Sequence, residues 1–188
     1  MRGLFRHTVF LLLLFFGGIS AIRAEGKVIL GLGGDVLVPD AEFEKSYNTG
    51  FGGSFEAHYA LAPRVSLGLS TGYFSWNGKT VDGSPVPAYK GAPLDLSLRV
   101  YLLRPGPGVG MYLFGRGGVF FSTIESADGV PGSSATDGSY AGGLGFEFPL
   151  GEGRTAIDIS GRYDVIAASG KTIRNIGLRV GVTLPVSE

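Results

Sequence analysis

The segment "GFGGSFEAHYAL", residues 50–61, alternates between two unlike faces. Phe51, Gly53, Phe55, Ala57, Tyr59 and Leu61 share one side of an extended chain; Gly52, Ser54, Glu56, His58 and Ala60 share the other. A period of two is the signature of a β-strand whose sides meet different surroundings. The alternation alone leaves open which side points inward. A soluble barrel buries its apolar side, whereas an outer-membrane barrel turns it toward lipid.

The same alternation recurs along the chain. It predicts strands over 27–38, 64–76, 92–103, 110–123, 139–150, 155–166 and 175–184, eight in all, and no segment has a 3.6-residue period strong enough for a helix. After strands two, four and six come the short turns "APR", "RPGPGV" and "GEGR". After strands one, three and five come long stretches rich in Gly, Ser, Asp and Pro. Short turns at one end and long loops at the other predict an all-β, eight-stranded antiparallel up-and-down transmembrane β-barrel.

Composition narrows the reading. The 33 glycines lack a collagen-like repeat and belong to turns and tight packing, and the absence of cysteine excludes disulfides and thiolate metal sites. Arg2, Arg6 and His7, the apolar run "VFLLLLFF" and the small residues before Glu25 predict a cleaved signal peptide over 1–24, leaving a barrel domain over 25–188. Cleavage removes three of the 16 Lys and Arg residues and none of the 16 Asp and Glu, so 13 cations face 16 anions. That balance offers no platform for nucleic acid.

Charge placement decides which face is inside. The five lysines beyond residue 24 (Lys27, Lys45, Lys79, Lys90 and Lys171) lie at strand starts or in loops. The mid-strand charges are Asp35, Glu56, Asp95, Arg99, Arg116, Glu147, Asp158, Arg162, Asp164 and Arg179, separated by Gly, Ser and Ala. With His58 they form an expected polar network in the lumen, where arginine forks pair carboxylates. On the other face, Phe51, Tyr59, Tyr73, Phe121, Tyr140, Phe148 and Tyr163 are expected at the membrane–water boundary, with Leu, Val and Ile between them. The alternative, a soluble lipocalin-like barrel, would have an outer surface rich in glycine and poor in lysine.

The export signal, the eight strands and the terminal "GLRVGVTL" resemble the small outer-membrane β-barrel proteins of Gram-negative bacteria, the group of the OmpA transmembrane domain, OmpX and the opacity-type, porin-like proteins. The resemblance covers residues 26–184. It implies residence in the outer membrane, contact with its lipid and lipopolysaccharide, and delivery by the outer-membrane insertion machinery. Members of this group usually end on Phe or Trp, which that machinery recognises; here Leu184 takes the place and "PVSE" follows.

Chemical motifs are weak. "SGKT" (169–172) has Val165 where a P-loop needs its first glycine, and "GLGG" (31–34) precedes no helix. The pairs Asp82–Gly83, Asp128–Gly129 and Asp137–Gly138 read as turns. His58 is the one histidine after the signal peptide, so a two-histidine metal site is excluded, and a His-x-Ser pattern fails at Ala60. The expectation is therefore no catalytic residue, no cofactor and no metal. The expected role is that of a monomeric barrel with a filled lumen, serving envelope integrity or surface interaction through loops 39–49, 77–91 and 124–138. In those loops Phe43, Tyr47, Val81, Val86 and Tyr89 would offer apolar contacts. The alternative readings are a small solute channel and, further off, a lipid A-modifying enzyme.

Overall fold

The structure is a computed structural model that describes residues 27–103, 108–126, 132–151, 155–168 and 171–186. The segment read as a signal peptide, 1–24, lies outside the described residues, as do Asp128–Gly129 and Ser169–Gly170. In chain order the elements are β1 (Val28–Asp40), helix α1 (Glu42–Ser46), β2 (Gly50–Ala62), β3 (Val65–Trp76), β4 (Thr80–Val81), β5 (Ser84–Pro85), β6 (Tyr89–Leu103), β7 (Gly110–Ile124), β8 (Ser133–Pro149), β9 (Ala156–Ala168) and β10 (Lys171–Pro185).

Eight of these strands close into one antiparallel barrel in the order β1-β10-β9-β8-β7-β6-β3-β2. Closure is made by the first and last strands, with Leu30 opposite Leu184, Asp35 opposite Arg179 and Asp40 opposite Arg174. A closed ladder pairs the backbone groups that hydrocarbon could not satisfy, which is why spanning sheets have no free edge. Irregularities fall at the short-turn end, between Ala60 and Ala62 and between Tyr101 and Leu103, where the strands leave the regular register.

The alternation maps onto the two surfaces. Leu32, Leu69, Leu96, Leu98, Leu178 and Val180 point outward and are exposed, whereas Asp35, Glu56, Asp95, Arg99, Asp158, Arg162 and Arg179 are buried inside. Inward glycines serve this packing. A Cβ on Gly33 would sit 2.7 Å from Nε of Arg179, and one on Gly50 would fall on the Trp76 indole. Removing those side chains leaves room for the guanidinium and the indole in a narrow lumen.

Three expectations about the connections change. Residues 39–49 contain the one-turn helix α1, too short to show a period of its own. Residues 77–91 contain the β4–β5 hairpin, turned at Asp82 and Gly83, whose φ angles of 49° and 79° suit a two-residue turn. The span 124–138 is shorter as a loop than expected, because β8 begins at Ser133 and pairs up to Ile124 of β7. Asp137–Gly138 is thus within a strand, opposite Phe120 and Val119, and makes no turn.

Candidate functional site

The lumen is built in storeys. Near the short-turn end, Arg99 of β6 donates from Nη2 to Glu56 Oε2 and from Nη1 to Glu147 Oε1 at 3.3 Å. Its guanidinium lies over the Tyr112 ring, 4.5 Å from the centroid. Arg179 of β10 donates to Asp158 Oδ1 at 2.5 Å, and the hydroxyls of Tyr112 and Tyr101 donate to Asp158 (2.6 Å) and Glu147 (3.1 Å). His58 Nε2 stands 3.8 Å from Glu56 Oε2, and neither ring nitrogen has a hydrogen-bond partner.

A second group lies above it. Arg162 donates from Nη1 to Asp35 Oδ1 and from Nε to Asp164 Oδ2 at 2.8 Å. Arg116 donates from Nη2 to Asp164 Oδ1 at 2.6 Å and faces Asp95 at 3.6 Å. Ser139 donates to Asp95 Oδ1 at 2.8 Å. Ser54 joins the storeys: it accepts from Arg179 Nε at 2.9 Å and donates to Asp35 Oδ2 at 2.6 Å. Each storey holds two arginines and three carboxyl groups. The eleven residues expected in the lumen are thus all brought to it, in two linked groups. Among the described residues no group of three His, Asp or Glu side chains is arranged for a metal ion.

The third storey is apolar. Toward the long-loop end the inward positions change character together: Asp35 gives way to Leu37, Ser70 to Phe74 and Trp76, Arg116 to Phe120, Asp164 to Ile166 and Asn175 to Ile173. Phe43 of α1 drops into this ring from loop 39–49, with its centroid 4.4 Å from Tyr47, 5.9 Å from Trp76 and 5.6 Å from Tyr89. Tyr89 stacks on Phe120 at 6.3 Å. Burial holds the Tyr47 phenol above its ordinary range and therefore neutral.

This cap corrects one expectation. Phe43, Tyr47 and Tyr89 are buried in it, at 5%, 6% and 5% exposure, so they are not contacts offered to a partner. Val81, at 37%, stays accessible on the hairpin. Alternation could not reveal the cap, because its residues share the phase of the charged ones. The change from polar to apolar along that phase, at the same end of several strands, was the available signal.

The seven outward aromatics, Phe51, Tyr59, Tyr73, Phe121, Tyr140, Phe148 and Tyr163, are all exposed on the barrel wall. Tyr163 donates to Asp40 Oδ2 at 3.1 Å, at the long-loop rim. Tyr140 lies well inside β8, because that strand starts earlier than its alternation indicated.

An apolar exterior, an ion-paired polar interior and a closed antiparallel wall define an integral outer-membrane barrel. The chain belongs to the outer membrane protein beta-barrel domain family, whose description matches residues 9–184. Its fold is shared with Neisserial surface protein A (TM-score 0.63, 17% identity, covering 87% of this chain and 99% of that one). Ail of Yersinia pestis, crystallised with the heparin analogue sucrose octasulfate, superposes with TM-score 0.58 at 14% identity, over 86% and 99% of the two chains. OprG of Pseudomonas aeruginosa gives 0.58 at 15% identity, over 88% and 98%. No curated protein matches at the level of sequence. The protein resides in the outer membrane.

Proposed function

We propose that the protein is a monomeric, non-conducting and non-enzymatic barrel that serves envelope integrity and surface interaction, with its contacts made at the extracellular rim. The observation that carries this reading is the filling of the lumen by two ion-pair storeys and an aromatic cap. Buried, mutually paired charges resist displacement by a passing ion, because breaking one pair leaves its partner uncompensated. The closed wall leaves no strand edge through which copies could pair, which supports the monomer. The exposed outer face is the surface for lipid and lipopolysaccharide, and the insertion machinery would meet the β1–β10 seam with Leu184 at its end.

Two of the rim lysines are already engaged by carboxylates. Lys45 is paired with Glu42 at 2.7 Å, Lys90 with Glu125, and Lys79 donates to the Glu44 carbonyl at 2.6 Å. The hairpin tip, with Val81 and Asp82, is the part of loop 77–91 that projects. A catalytic role for His58 is disfavoured by its burial in the lower storey, away from both loops and lipid.

Reconstitution into planar bilayers is expected to give no steady current steps above background. Discrete, reproducible steps would favour the second reading, a small solute channel. That reading draws on buried polar atoms without partners along the lumen, among them Ser66 Oγ, Ser70 Oγ, Arg179 Nη2 and Arg162 Nη2.

A further inference from the structure

The geometry points to a binding site for a small organic cation at the extracellular mouth, an aromatic cage that the chain's own Phe43 occupies as a displaceable stopper. The cage walls are Tyr47, Trp76, Tyr89 and Phe120. Trp76 lies 5.7 Å from Tyr89 and 6.4 Å from Phe120, and Tyr47 lies 5.9 Å from Tyr89. The Phe43 ring touches three of the four, Tyr47, Trp76 and Tyr89. Withdrawing Phe43 would leave a box of π-faces open to the outside, the arrangement that attracts quaternary and primary ammonium groups.

Beneath the cage, the polar layer offers both acceptors and donors, with Trp76 Nε1 and Arg116 Nε also unpartnered, and the acceptors are what an ammonium would use. In the storey directly below, three carboxyl groups, Asp35, Asp95 and Asp164, face two guanidinium groups, Arg116 and Arg162. A cavity of about 20 Å³, room for one or two waters, lies against Trp76 and Phe120 of the cage and is lined as well by Asp95, Asp164 and Asn175. Arg116 also borders it, but its Nη2 is committed to Asp164, leaving its Nε 3.6 Å from Asp95. Finally, Asn175, at 1% exposure, has an unpartnered Oδ1 beside that cavity, an acceptor with nothing to accept from. An ammonium group in the cage would meet π-faces around it and, beneath, the Asp95 carboxylate that Arg116 faces at 3.6 Å and the free carbonyl oxygen of Asn175.

The stopper is carried on a short element. It rides on a single helical turn whose other side chains, Glu42, Glu44 and Lys45, face solvent. The turn is entered through Ala41, a non-glycine residue held at φ 57°, ψ −130°, a conformation that favours glycine and stores strain in the closed state. A few bonds tie it down: Lys79 N to Ser46 O at 2.8 Å, Lys79 Nζ to Glu44 O at 2.6 Å, and Asn48 N to Asn77 O at 2.9 Å. The site does not depend on whether the barrel conducts.

Trp76 is the only tryptophan in the chain, so its emission reports on the cage directly. Folded protein in a maltoside detergent is titrated with choline chloride, with sodium chloride at the same ionic strength, and with 3,3-dimethylbutan-1-ol, the uncharged isostere of choline. Relative to wild type, Phe43→Ala is expected to lower the half-saturating choline concentration about tenfold or more, as one desolvated cation–π contact implies. Asp95→Asn in that background should raise it again by about fivefold, the loss of one nearby charge near a protein surface. Phe43→Leu, which keeps an apolar stopper, serves where the alanine variant loses its heat-shifted gel mobility, and should fall between. A saturable response to choline alone supports the cage. Equal responses to choline and sodium, or binding of the alcohol as tight as that of choline, would overturn it.

Discussion

Arg99→Met is expected to destabilise the folded barrel by about 3–5 kcal/mol, the cost of removing one partner from a buried charge group. Arg99 is 3% exposed, and its two arms engage Glu56 and Glu147. The variant leaves two carboxylates in a low-dielectric lumen with Arg179 at 3.9 Å from Glu56 as the next cation. Its place over Tyr112 would be taken by an apolar chain of similar reach, so the loss is electrostatic in origin and not a cavity. Urea unfolding in micelles, followed by Trp76 emission, reads the change as a lower midpoint. The triple variant Arg99→Met, Glu56→Gln, Glu147→Gln should recover most of it. A single variant as stable as wild type would mean that the lower storey is hydrated and screened.

The second large effect concerns a glycine. A Cβ on Gly118 would fall on the Leu94 carbonyl oxygen and within 2.8 Å of Asp95 Cα, both on the neighbouring strand β6. Backbone cannot step aside as a side-chain tip can, so Gly118→Val should cost about 3 kcal/mol or more, at or beyond the upper end of overpacking effects. Gly115, three residues earlier on the same strand, points outward with nothing within 4 Å of its built Cβ. Gly115→Val should leave the fold intact, since it only adds apolar surface to a lipid-facing wall. The fraction of protein running as the heat-shifted band after refolding compares the two. Equal yields from both variants would contradict the inward and outward assignment on β7.

These two experiments touch what the sequence made legible and what it did not. Strands were readable wherever one face was apolar, and they became unreadable where that contrast ended. The segment 133–138 pairs with 119–124, yet its side chains are almost all exposed or half-exposed, so no alternation marked it as strand. Tyr89 and Lys90 extend β6 upstream of its alternating run, where the inward residue is the apolar Tyr89 and the contrast between the faces is reversed. The charged lumen residues were legible because a charge in mid-strand must face inward when the other face is oily. Their partners were not, since pairing across the barrel joins residues as distant as Asp35 and Arg162. The cap was hidden by phase and by α1, whose five residues carry too little sequence to show a period. Tyr101 and Tyr112 share the phase of Arg99 and Arg116, and their role as donors to Glu147 and Asp158 appears only with the register in hand.

Lumen, cap and cage all depend on which face of each strand meets lipid, and β6 is where inward and outward residues differ most sharply. The chain has no native cysteine, so single cysteines can be placed at 94, 95, 96, 97 and 98 without background. Each is spin-labelled in the folded protein in bilayers, and its accessibility to oxygen dissolved in the lipid is compared with its accessibility to a water-soluble nickel chelate. Labels at Leu94, Leu96 and Leu98 should be relaxed by oxygen, and labels at Asp95 and Ser97 should be shielded from it. High oxygen accessibility at Asp95 and Ser97 with shielding at the leucines would contradict the orientation from which the lumen, the cap and the cage all follow.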